Sequence, residues 1–87
     1  MEDTFLEFPC EFPLKAIGRE LETFEAFVVE IVRKHVPGLD ASLTARRLSH
    51  GGKYLAVTVT FTAESKAQLD ALYGELGSHK HRVVMLL

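Results

Sequence analysis

The side chains able to do chemistry are few and scattered. Cys10 is the single cysteine, so neither an internal disulfide framework nor a cysteine metal cage is possible. A thiol nucleophile needs a base held beside it, yet Cys10 stands between Pro9 and Glu11 with no histidine near it in sequence. A structural cysteine is expected. His79 and His81 are two apart, so both can point the same way from an extended segment. With His50 or a carboxylate they could hold zinc or nickel adventitiously. Two ligands do not close a site, and surface histidines are the expectation. Carboxylates crowd the first third of the chain, but as glutamates of a wet helix face, with no acid or base role assigned. Gly51-Gly52 lacks the surroundings of a phosphate loop and is explained by a hairpin turn. No catalytic set emerges, no cofactor is implied, and the chain is expected not to be an enzyme.

Such residues need elements to position them, and 87 residues suffice for one domain. The hydrophobic share of 47% and charged share of 25% are ordinary for a folded chain. No apolar run approaches the ~20 residues of a membrane span, and the acidic N-terminus does not match a signal peptide. A cytoplasmic location and no membrane partner are expected. The net charge of −2 is unevenly spread. Residues 1–32 carry eight acids against Lys15 and Arg19, whereas residues 33–53 carry five bases against Asp40. The last block, 54–87, is balanced at three of each sign. A basic middle block can steer an acidic partner, although solvated faces that keep the protein soluble are the simpler account.

Residues 1–11 read as an extended arm, too aromatic for a free tail and too proline-marked for a helix. A single domain then occupies 12–87. Strand one is expected over Phe12 to Gly18, with Phe12, Leu14 and Ala16 on one face and Lys15 and Ile17 on the other. A helix over Glu22 to Val36 places Phe24, Phe27, Val28, Ile31, Val32 and His35 on a core-facing stripe. Pro37-Gly38 stops it. Strands over Asp40 to Ser49 and Lys53 to Thr62 flank the glycine hairpin. In strand two the parity of Leu43 and Ala45 conflicts with that of Leu48, which predicts a β-bulge near Arg46-Arg47. A second helix over Glu64 to Leu76 has Ser65 and Gln68 at capping-box spacing and Gly77 as its stop. Residues 82–87 read as a fourth strand, apolar on both faces.

The order β-α-β-β-α-β is the split-βαβ or ferredoxin-like signature of an α+β fold. Right-handed crossovers give a four-stranded antiparallel sheet of order 4-1-3-2. Two helices cover one face. Lys15, Ile17, Thr44, Ala56, Thr58 and Thr60 are expected on the other.

Leu6-Glu7-Phe8-Pro9, followed by Phe12, Lys15 and Gly18, resembles the opening of the YbeD-like family of small bacterial proteins. His35 with Pro37-Gly38, Ser49 and Gly52 before Tyr54, and Leu72-Tyr73 with Leu76-Gly77 continue the resemblance. Met85 and Leu87 fit the family's closing strand, while Ser78-His79-Lys80-His81 departs from the pattern. The likeness spans Phe5 to Leu87. It implies a bacterial cytoplasmic protein whose fold is similar to ACT-type regulatory domains, which bind small ligands and pair with one another. It carries over no catalytic residue.

Three functional expectations follow. The leading one is a non-enzymatic regulatory or interaction module, its partner an unidentified protein or small-molecule effector. Within it, Gly18 and Arg19 are the candidate small-ligand loop, because in ACT-type domains the segment after strand one frames the ligand. The rival is a nucleic-acid-binding module working through Arg46, Arg47 and Lys53. Its weakness is the lack of base-stacking aromatics on the central strands. An enzyme comes last: small ferredoxin-like acylphosphatases need an asparagine, and the chain contains none. Strand four, apolar and with Arg82 as its one gatekeeper, calls for cover by Phe5, Leu6 and Phe8 or by a second chain. A monomer or weak homodimer is therefore expected.

Overall fold

The computed structural model describes residues 7–49 and 51–87. Strand β1 (Cys10–Gly18) is followed by helix α1 (Phe24–His35), β2 (Thr44–Leu48), β3 (Leu55–Ala63), helix α2 (Lys66–Ser78) and β4 (Met85–Leu86). The sheet order is β2-β3-β1-β4 with every neighbouring pair antiparallel, as the crossover rule requires. β1 and β3 form the centre through an unbroken nine-residue ladder, Cys10 opposite Ala63 to Gly18 opposite Leu55.

Alternation decides which face each strand buries. Leu14 and Ala16 of β1 and Leu55, Val57 and Val59 of β3 are completely buried beneath the helices. From above, Phe24, Val28 and Val32 of α1 and Leu72 and Leu76 of α2 close the core. Basic residues Arg33, Lys34 and His35 occupy the last turn of α1, where they complement the helix dipole. Gly38 follows with φ +86°, a value that L side chains rarely adopt, and the chain turns back. At the start of α2 the Ser65 hydroxyl accepts the Gln68 N–H at 3.1 Å. Gln68 in return accepts the Glu64 N–H at 2.8 Å and donates to the His35 carbonyl at 2.9 Å. One side chain thus caps its own helix and ties it to the end of α1.

Several expected details change. Strand one starts at Cys10, so Cys10 and Glu11 belong to the sheet and not to the arm. Phe8 packs against the core, while Phe5 and Leu6 lie outside the described residues. There is no bulge in β2: its register with β3 runs without interruption from Thr44 opposite Val59 to Leu48 opposite Leu55. The parity conflict disappears because Leu43 belongs to a 3-10 turn, Ala41–Leu43, capped by Asp40 through the Ser42 N–H at 3.0 Å. That register also moves Thr44 to the helix side of the sheet, beside Val59. α2 continues past Gly77 to Ser78, and His79 is its cap. Strand four shrinks to Met85–Leu86, because Arg82 and Val83 still bond back to the His79 carbonyl.

The two helices are joined at one end by charge. Glu75 accepts from the Lys34 ammonium and sits 2.7 Å from His35 Nε2. The Lys34 and then the His35 hydrogen bonds hold the Glu75 carboxyl below its ordinary value of 4.5. A depressed folded pKa contributes stability that is complete above the ordinary value and is lost as pH falls through the folded one. Glu75→Gln is therefore expected to lower the melting temperature at neutral pH. The gap to the parent should close on acidification below 4.5, which thermal melts across a pH series would read directly.

Candidate functional site

The face of the sheet away from the helices is the surface left to work with. Residues paired across antiparallel strands share a face, so Ile17 stands beside Ala56 and Arg47, and Lys15 beside Thr58 and Ala45. The same rule places Met85 next to Ile17. Arg47 and Lys15 come from strands two spacings apart, roughly 10 Å, and are offset by one same-face step. Between them lie only Ala45, Ala56 and Thr58, side chains too small to fill the gap. A depression of about 490 Å³ results, lined by Lys15, Ile17, Arg47, Ser49, Tyr54 and Ala56, with Leu48 at its margin. A second hollow of about 340 Å³ continues over Lys15, Ala45, Arg46, Arg47, Ala56 and Thr58.

Its electrostatics are one-sided. No carboxylate lines either hollow among the described residues. Elsewhere several cations have carboxylate partners: Arg33 with Glu30, Lys66 with Asp70, Arg82 with Glu20, and Lys34 with Glu75. The Ser49 hydroxyl accepts the Tyr54 N–H at 3.0 Å, which leaves its own O–H to donate into the depression. Arg19 lies over the Tyr54 ring, 5.7 Å from its centroid, and adds a further cation at the rim.

The residues singled out from sequence are distributed differently from their spacing. Gly18 is buried: a Cβ there would lie 2.4 Å from the Phe24 ring and 2.5 Å from the Arg82 carbonyl oxygen. Its backbone is in contact with protein where a ligand would have to approach, while neighbouring Arg19 points to Tyr54. The space over the start of α1 is taken by Arg82, which bonds Glu20 at 2.7 Å and lies 4.0 Å above the Phe27 ring. Arg46 and Arg47 are neighbours in sequence and opposites in space. The Arg46 guanidinium turns to the helix side and pairs with Glu25 of α1 at 3.1 Å, although the residue borders the second hollow, while Arg47 pairs with Ala56 on the open face. Lys53 is exposed beside the hairpin, where Gly51 and Gly52 take φ of +91° and +73°. His79 packs edge-on against Phe27 at 5.0 Å, His81 is exposed, and His50 lies outside the described residues. Among the described residues no three histidine, cysteine or carboxylate groups converge for a metal. Cys10 is half-buried against the core on the helix side. Among the described residues no helix is long and apolar enough to cross a membrane.

Sequence reasoning gave Lys15, Tyr54 and Ser49 no place in a site. Lys15 carried a signal, as a charge within the alternation of a central strand. Ser49 and Tyr54 carried none, because their hairpin was explained by its glycines.

The family model described as a protein of unknown function, DUF493, matches residues 3–87, nearly the whole chain. The chain belongs to the DUF493 family. A UPF0250 protein of Nitrosomonas europaea is 38% identical over 86 residues, covering 99% of this chain and 97% of the relative. Another from Chromobacterium violaceum is 45% identical over 73 residues, covering 84% and 82%. The solution structure of protein HP0495 from H. pylori superposes with a TM-score of 0.76, covering 99% of this chain and 89% of that one. At 13% identity this likeness speaks for the fold alone. The YbeD-like resemblance is thereby shown, with its α+β fold and bacterial relatives.

Proposed function

We propose that this protein is a non-enzymatic regulatory or interaction module of ACT-like architecture, acting by binding at the open face of its sheet. One observation carries this reading: the end of the open face around Lys15 and Arg47 is hollowed with no carboxylate in its lining, while Glu11, Asp40 and Glu64 border a separate hollow at the other end. The groups best able to do chemistry are engaged elsewhere, Cys10 against the core and His35 with Glu75. Fold likeness by itself is weak support for function, so the weight rests on the surface. The nucleic-acid rival loses Arg46 to Glu25 and finds Lys15, Ile17, Ala56 and Thr58 where base-stacking aromatics would stand.

A photo-crosslinking side chain placed at Thr58, in a native bacterial host, tests the reading. A discrete macromolecular adduct is expected at Thr58, none at Glu30 on the helix side, and loss of the Thr58 adduct in Arg47→Glu. Absence both of an adduct at Thr58 and of any small molecule that copurifies with the parent but not with Arg47→Glu would overturn it, as would a hydrolase or transferase activity abolished by Cys10→Ser.

A further inference from the structure

We propose that the depression between β1 and β2 is a binding site for an organic anion, a carboxylate or phosphate group carried on an apolar body. This rests on the open face being the working surface and adds the chemistry of what it holds. Two long cationic side chains, Lys15 and Arg47, border one hollow from opposite strands across a floor of Ala56 and Thr58. A floor of small residues leaves the gap open, where larger side chains would have filled it. The chain has more acids than bases, twelve against ten, yet among the described residues none of those acids lines the hollow. Like charges held together with no carboxylate between them favour an anion by direct Coulomb attraction. An arginine offers a planar fork of donors and a lysine a mobile point charge, so both planar carboxylate and tetrahedral phosphate are accommodated.

The remaining lining specifies the body. Ile17, Ala56 and the Tyr54 ring give an apolar wall beside the charges, and the Ser49 and Tyr54 hydroxyls are donors at its edge. A volume of about 490 Å³ lies within the range of small-molecule sites, roughly 300–1,000 Å³. Face-to-face pairing of two chains with its two-fold axis through this hollow would set Lys15 and Arg47 against their own copies, which like-charge repulsion opposes.

The test is an amide-resonance titration of the whole chain with phenyl phosphate and, separately, benzoate, with inorganic phosphate and phenol as the isolated halves. Saturable shifts are expected at Lys15, Ile17, Arg47, Tyr54 and Ala56 with at least one of the two organic anions. Each half alone should bind about tenfold more weakly, a difference of about 1.4 kcal/mol. The arm that binds tighter identifies phosphate or carboxylate as the group recognised. Lys15→Gln and Arg47→Gln, both exposed and outside the core, should each weaken binding about fivefold or more with the rest of the spectrum unchanged. No saturable shift with either anion overturns the proposal. So do equal shifts around Arg33, Lys66 and Lys80, or undiminished affinity in both variants. The crosslink at Thr58 reports a macromolecule and this titration reports a small anion, so either result can fail without the other.

Discussion

Phe24→Ala is expected to remove a large share of the stability of this domain. The ring is completely buried and is the largest of the fully enclosed side chains. It opens α1, packs against Phe27 at a centroid distance of 6.1 Å and lies against the backbone of Gly18. Truncating a buried phenylalanine costs about 3–5 kcal/mol, because transfer free energy is lost and the surroundings relax only partly into the cavity. Chains of this size have total stabilities of about 0.05–0.15 kcal/mol per residue. For 87 residues that is about 4–13 kcal/mol, so the variant loses about a quarter of its stability at the least and all of it at the low end. Urea unfolding followed by circular dichroism would show a greatly lowered midpoint. A midpoint shift as small as that of an exposed substitution would mean that the first turn of α1 does not anchor the core.

Gly18→Ala is the second large effect, and it arises from the other side of the same contact. The added Cβ would meet the Phe24 ring at 2.4 Å and the Arg82 carbonyl oxygen at 2.5 Å. A ring can yield somewhat, but the carbonyl belongs to backbone held by the turn that follows α2. Overpacking of this kind costs about 1–3 kcal/mol. Gly18→Ala combined with Phe24→Leu should destabilise less than the sum of the two single changes, since the smaller side chain relieves one of the two clashes. Gly74→Ala makes the contrast: it sits within α2 with nothing inside 4 Å. There the same methyl should stabilise by about 0.5–1 kcal/mol through helix propensity. Equal effects at both positions would show that propensity, and not close approach, governs Gly18.

The element order and sheet topology were legible in the sequence because the strongest patterns belong to the central elements. Leu55, Val57, Val59 and Phe61 alternate cleanly, and the α1 stripe recurs at helical spacing. The edges were harder. In β2, Leu43 looked like a strand residue, although Asp40 and Ser42 carried the signal of a capped turn. In β4, an apolar run concealed how few residues pair, and at this edge hydrophobicity reports neither pairing nor burial, since Val84, Met85 and Leu87 are exposed. Of the candidate site, Arg47 and Arg19 were visible as charges but not as parts of one surface. Adjacent residues on a strand point oppositely, and only the register revealed that Arg46 serves the helices while Arg47 faces outward with Lys15.

The ladder between β1 and β3 has a consequence for how the chain is made. Its partners are 37 to 53 positions apart, from Gly18 with Leu55 to Cys10 with Ala63. No local hairpin builds the middle of this sheet. The first strand to be synthesised waits unpaired until β3 has emerged, with α1 as its nearest early companion. Closing such loops takes entropy before any contact repays it, so folding is expected to be slower than for helical chains of equal length. Assembly of the central sheet is thus an event of late synthesis, and until then the apolar edge of β1 is open to any extended strand nearby.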